Sequence, residues 1–142
     1  MVVNPLADAR NSGVYYLPNS QFPHVQAHAK ASCRRMLRAD LSHCANITSA
    51  LKELGRALNF PEWYGANFDA LNDCLTDEDW QSAEGQVVHI AGLQQLRQED
   101  PQACATLIEV FQAACEQCRE FGLAFWILLD TPATGVDRFP AA

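Results

Sequence analysis

The feature that most constrains the fold is an uninterrupted apolar run, Leu-Ala-Phe-Trp-Ile-Leu-Leu, at residues 123–129. The run follows Gly122 and is too short for a long helix. Apolar residues on both sides of the chain are typical of a strand that is covered on both faces, and such strands belong to parallel sheets with helices packed around them. The run therefore favours an α/β fold.

The remainder of the chain alternates between strand and helix patterns. Strands are predicted over residues 14–17, 36–41, 87–90 and 123–129, and helices over 25–33, 46–58, 67–75 and 100–121. Asn46 and Asp100 are expected to cap two of the helices. This order predicts one α/β domain over residues 1–142, with a small, mainly parallel sheet of three to four strands. The ends, 1–12 and 131–142, are expected to be flexible.

The sequence predicts that the chain stays in a reducing compartment and folds without disulfides. The chain has 142 residues, 49% of them hydrophobic, which is enough for a core without disulfides or a metal. Its start lacks the basic flank and apolar run of an export signal, and no stretch is apolar enough to cross a membrane. We therefore expect a cytoplasmic protein whose six cysteines are thiols. Helical spacing places Cys115 and Cys118 on a core-facing stripe.

The net charge of −7 is concentrated in one segment. Seven acids lie between Glu62 and Glu84, and no Lys or Arg occurs from Ala57 to Leu96. Outside that segment the acids and bases balance. Binding to nucleic acid is disfavoured, because neutralising phosphates needs a basic patch.

Two acids of this segment share one side of a predicted helix. Asp69 and Asp73 are four residues apart, a spacing at which like charges repel. Asp73 also lies near the helix C-terminus, where the helix dipole disfavours an anion. The aromatic turn Trp63-Tyr64-Gly65 comes just before this helix, and Glu78 and Trp80 follow it. Aromatic anchors beside uncompensated acids indicate a surface for a basic protein.

The segment from Phe60 to Thr76, Phe-Pro-Glu-Trp-Tyr-Gly-Ala-Asn-Phe-Asp-Ala-Leu-Asn-Asp-Cys-Leu-Thr, resembles the signature of the barstar family. Members of that family are intracellular inhibitors of barnase-type ribonucleases. A weaker resemblance extends over residues 35–129. The chain is similar to the longer members, with a strand and helix at 13–34 added before an inhibitor core at 35–130.

The resemblance implies a role for each matching residue. It implies that the carboxylate of Asp73 enters the ribonuclease active site, that Asp69 pairs with an enzyme arginine, and that Trp63 packs on a catalytic histidine. Inhibition would then be steric and electrostatic, without a catalytic residue, cofactor or metal in the inhibitor. The implied partner is a basic, extracellular-type, barnase-like ribonuclease. The expected partner-binding residues are Trp63, Tyr64, Gly65, Asn67, Asp69, Asn72, Asp73, Thr76, Glu78 and Trp80.

The chain departs from the family at two interface positions. Asn72 stands where the family has a tryptophan, and Ala113 stands where its type member has an interface glutamate. Glu116 is the candidate to supply that charge. These departures bear on which enzyme is the target.

Two other functions are compatible with the sequence. The acidic surface could bind another basic toxin, as an immunity protein does, or a basic host protein. Asp69 and Asp73 could instead act in a metal-dependent enzyme, as ligands or as an acid and a base. Against an enzyme, the sequence contains no Gly-rich phosphate loop and no third ligand at a supporting spacing.

Overall fold

The computed structural model describes residues 4–140 and contains every strand and helix predicted from the sequence. The strands are β1 Gly13–Tyr16, β2 Arg35–Asp40, β3 Gln86–Ala91, β4 Phe125–Leu129 and β5 Asp137–Arg138. The helices are α1 Phe22–Ala31, α2 Ile47–Ala57, α3 Phe68–Leu75, α4 Leu93–Glu99 and α5 Pro101–Glu120. Short 3-10 helices lie at Pro5–Ala7, Ala9–Asn11 and Asn19–Gln21.

The strands form one sheet in the order β2-β3-β4-β1-β5, and every pairing is parallel. The predicted α/β class with a mainly parallel sheet is confirmed. The predicted count of three to four strands is wrong, because β5 adds a fifth. This two-residue strand is exposed and pairs beside Tyr15 and Tyr16, so it carries no apolar pattern that the sequence could reveal. The sequence also missed α4, which is only seven residues long.

Strand β4 is buried on both faces, as the apolar run predicted. Phe125, Ile127 and Leu129 belong to the larger core, which packs against α2, α3, α4 and α5. Trp126 and Leu128 belong to a second cluster on the opposite face, which is covered by α1. Helices therefore pack on both faces of the sheet.

The described parts of both chain ends also pack on this second face. Leu6 is fully buried and Phe139 is 2% exposed. The Phe139 ring meets Tyr15 at 5.3 Å, and the Phe139 N–H donates to the Tyr16 carbonyl at 2.8 Å. The sequence did not predict this packing, since single apolar anchors leave no periodic pattern, and the flexibility of the ends stays a prediction. Residues 1–3 and 141–142 of those segments lie outside the described residues.

Side chains cap the helices where the sequence predicted it. The Asn46 Oδ1 accepts from the Ser49 N–H at 2.9 Å, and the Asp100 Oδ1 accepts from the Ala103 N–H at 3.1 Å. Cys115 and Cys118 are each 1% exposed, which confirms their place in the core. None of the helices within residues 4–140 is both long and apolar enough to span a membrane.

Candidate partner-binding site

The turn before α3 separates its two aromatic side chains. Tyr64 points inward, and its hydroxyl donates to the Leu51 carbonyl of α2 at 2.7 Å. Its ring lies against Gly55, where a Cβ would come within 2.6 Å of the ring. Trp63 faces outward and is 57% exposed. The turn is therefore anchored on α2 by Tyr64 and presents Trp63 to solvent.

The start of α3 is set by Asn67. Its Oδ1 accepts from the Ala70 N–H at 2.8 Å, which satisfies a backbone donor that the helix itself leaves unpaired. Just before it, Ala66 has a φ of +51°, a left-handed conformation that reverses the chain. The Asn67 side chain thus has a structural role, while the neighbouring Gly65 is exposed.

Helix α3 is buried on one side and charged on the other. Leu71, Cys74 and Leu75 are fully buried. Asp69 and Asp73 are exposed, and no residue in the 4–140 range forms an ion pair or hydrogen bond with either side chain. The apolar contacts of α3 therefore fix the side of the helix from which these two carboxylates reach the surface.

A groove of about 380 Å³ lies between α3 and α5. Asp69 and Asn72 line one wall, and Glu109 and Ala113 line the other. Glu116, the sequence candidate for the missing charge, is not part of this lining. Glu109 was missed because only the packing of α5 against α3 shows that it lines the same groove as Asp69. We call Asp69, Asp73 and Glu109 the acidic face.

Trp80, a further predicted site residue, packs mostly inside the core. Trp80 is 9% exposed, and its Nε1–H donates to the Leu58 carbonyl at 2.8 Å. Its ring packs edge-to-face on Phe60 and Phe125. The indole therefore completes the core under the acidic loop, and a contact of Trp80 with a partner stays a prediction.

Two further predicted residues follow α3. The Thr76 hydroxyl donates to the Asn72 carbonyl at 2.8 Å, so it closes the last turn of the helix. Glu78 is exposed in the loop beyond. Of these two, only Glu78 adds a carboxylate near the end of the helix.

The ionisable groups beneath the acidic face stay neutral. Burial raises the pKa of the Tyr64 hydroxyl well above its ordinary value. Burial, with smaller contributions from Asp77 and Asp73, raises the pKa of the Cys74 thiol to about 11. Within residues 4–140, no three side chains of His, Cys, Asp or Glu come together as a metal-binding group. What the site presents is fixed negative charge beside an exposed indole.

The model of the family described as Barstar (barnase inhibitor) matches residues 34–130. The chain belongs to the barstar family. No curated protein matches it. The barstar family is a family of inhibitors and not of enzymes, and the match contains all of the acidic face. Strands β2, β3 and β4 lie within the matched range, whereas β1, α1 and β5 lie outside it.

Proposed function

We propose that this barstar-family protein is a cytoplasmic inhibitor of a basic, barnase-type ribonuclease, and that it binds through the acidic face and Trp63. The observation that carries the proposal is the pair of exposed carboxylates on α3, Asp69 and Asp73, which pair with no other residue of the described range 4–140. A protein gains no stability from two like charges four residues apart on a short helix. A cationic partner gives them a favourable role.

The chemistry of the partner follows from that charge. A ribonuclease must present cations to hold the phosphates of RNA, and a carboxylate can occupy the place of a phosphate. The acidic face is held by two packed helices, α3 and α5, so binding it does not require a helix to be ordered first. Trp63 adds a large apolar anchor whose rigid ring costs little conformational entropy on binding.

The groove beside the acidic face bears on the identity of the target. Asn72 and Ala113 line it with a small polar and a small apolar side chain. Glu109 stands one helical turn before Ala113 and adds a carboxylate to the groove. We propose that Glu109 contributes to the choice of target enzyme by pairing with a cation that reaches into the groove.

An inhibition assay with purified barnase-type ribonucleases tests the proposal. The protein should inhibit one of them at a one-to-one ratio, and association should slow as salt rises, because exposed charges are screened over about 8 Å at physiological ionic strength. Asp73→Asn should weaken inhibition by about thirtyfold or more, the effect of removing one partner of a desolvated charge pair.

The matched control for this assay is Glu99→Gln, an equal loss of charge at an exposed position on α4. It should leave inhibition unchanged. Equal potency of Asp73→Asn and the wild type would refute the site. Capture of a cationic protein that is not a ribonuclease, lost in Asp73→Asn, would show that the acidic face binds a different basic partner.

A further inference from the structure

A second cavity lies away from the acidic face, at the carboxyl ends of three parallel strands. It has a volume of about 340 Å³. Its charged lining comes from Arg38 and Asp40 of β2, His89 of β3, and Asp130 just after β4. Clefts at this edge of a parallel sheet are the usual ligand sites of open α/β folds.

The cavity contains a buried polar group without a partner. His89 is 1% exposed, and its Nε2 has no hydrogen-bond partner among the described residues. Its Nδ1 accepts from the Arg38 Nε at 3.3 Å, so the neutral ring carries its proton on Nε2. Burial, together with the Arg38 charge, lowers the pKa of His89 to about 4, which keeps the ring neutral. A buried N–H without an acceptor is costly and is rare in folded proteins.

The Arg38 guanidinium is the cationic part of the lining. It lies over the Phe22 ring at 5.6 Å, and the same ring meets the His89 imidazole at 4.5 Å. Beyond the Nε bond to His89, the guanidinium makes no hydrogen bond within residues 4–140. Its two NH₂ groups are therefore available to pair with a carboxylate.

The two carboxylates give the cavity its acidic side. Asp130 accepts from the Gly92 N–H at 2.8 Å and from the Thr131 hydroxyl at 3.0 Å, which holds it in place. Asp40 accepts from the Ser42 N–H at 2.9 Å. Neither carboxylate forms an ion pair with a described residue. Both keep lone pairs for an ammonium group.

We propose that this cavity binds a free α-amino acid. The ligand carboxylate pairs with the free NH₂ groups of Arg38, and the ligand ammonium lies between Asp40 and Asp130. A lone anion is disfavoured by the two carboxylates, and a lone metal cation by the guanidinium, whereas a zwitterion satisfies both sides. His89 is 1% exposed and accepts from Arg38 through Nδ1, so it orients the guanidinium and does not itself contact the ligand.

The proposed site combines the family core with the segment that precedes it. Asn19 and Phe22 line the cavity from outside the matched range, and Arg38, His89 and Asp130 line it from within that range. The cavity shares no lining residue with the groove at the acidic face. The site therefore extends the proposed function and does not depend on it.

The test is a thermal-shift screen of the full chain with each of the twenty common L-amino acids, followed by calorimetry on those that stabilise. At about 10 mM ligand, a site of millimolar Kd is nearly saturated, and binding to the folded state raises the melting temperature. At least one amino acid should stabilise the protein, while its amide, which lacks the carboxylate, and its N-acetyl form, which lacks the ammonium, should not.

Two variants connect such binding to the cavity. Arg38→Gln should weaken binding by about tenfold or more, as expected for the loss of a charge-assisted pair. Arg35→Gln, the same change at an exposed position on the same strand, should leave it unchanged. In nuclear magnetic resonance, the His89 ring signals should move on binding. No stabilisation by any amino acid would overturn the proposal, as would equal stabilisation by the amide, or by inorganic phosphate or Mg²⁺ alone.

Discussion

Replacing Asp73 by Asn should stabilise the free protein while weakening the proposed inhibition. Removing the charge relieves the repulsion from Asp69 four residues earlier, which costs about 0.2–0.5 kcal/mol. It also removes an anion from the last turn of α3, where the helix dipole disfavours it by about 0.3–1 kcal/mol. Both positions are exposed and screened by salt, so we expect a combined gain of about 0.5–1 kcal/mol at low salt. Asn and Asp have similar helix propensities, so the substitution isolates the charge.

Urea unfolding followed by tryptophan fluorescence and circular dichroism measures this gain. For a chain of this size, about 1 kcal/mol corresponds to a rise of about 2–5 °C in the melting temperature. The gain should shrink at about 1 M salt, where the Debye length falls to about 3 Å.

Asp69→Asn is the matched control, because Asp69 is in the first turn, where the dipole favours an anion. There the two effects oppose each other, so the free energy of unfolding should fall slightly or stay constant. A loss of stability in Asp73→Asn would refute the reasoning, since Asp73 would then make a stabilising contact in the free protein. A gain that persists at high salt would also refute it, since the gain would then not come from screened charges.

Three further predictions concern the core. Tyr64→Phe removes the hydrogen bond to the Leu51 carbonyl and should lower the free energy of unfolding by about 1 kcal/mol in urea titrations, while Tyr16→Phe should change it little. Because the pKa of His89 is lowered to about 4 in the folded protein, the His89 ring takes up a proton at a higher pH in the unfolded chain than in the folded one. The contribution of neutral His89 to the free energy of unfolding is therefore complete above about pH 6.5 and is lost as the pH falls towards 4. At pH 4.5 the loss is about 2.5 kcal/mol, and the variant His89→Gln should lack this part of the acid sensitivity. A thiol reagent should label Cys33 rapidly in the native protein and the five buried cysteines only after unfolding; rapid labelling of several thiols would contradict the described core.

The aromatic residues show where sequence reasoning succeeds and where it stops. The resemblance and the turn pattern assigned Trp63 to the surface, and the structure places it there. The same reasoning placed Trp80 at the partner surface, although its indole fills the core against Phe60 and Phe125. Both tryptophans follow acidic residues in loops, so local sequence does not distinguish them. The distinction depends on which loop folds back over the sheet.

The acidic face likewise combines two residues that the sequence predicted with one that only the packing of the helices reveals. The spacing of Asp69 and Asp73 around the buried Leu71 and Leu75 predicted their exposure, because a helix repeats its apolar side every three to four residues. Glu109 lies far away in the sequence and joins them only because α5 packs along α3. A helical period records that one side of α5 is buried but not which helix lies next to it.

The sequence by itself determined the α/β class, the two-sided burial of β4, the helix caps and the concentration of negative charge in one segment. Each of these depends on residues close together along the chain, where spacing and local hydrogen bonding decide the outcome. Only the tertiary structure decided the fifth strand, the anchoring of both ends by Leu6 and Phe139, and the cavity around His89. These arise where distant segments meet on the sheet, and their packing leaves no periodic trace in the sequence.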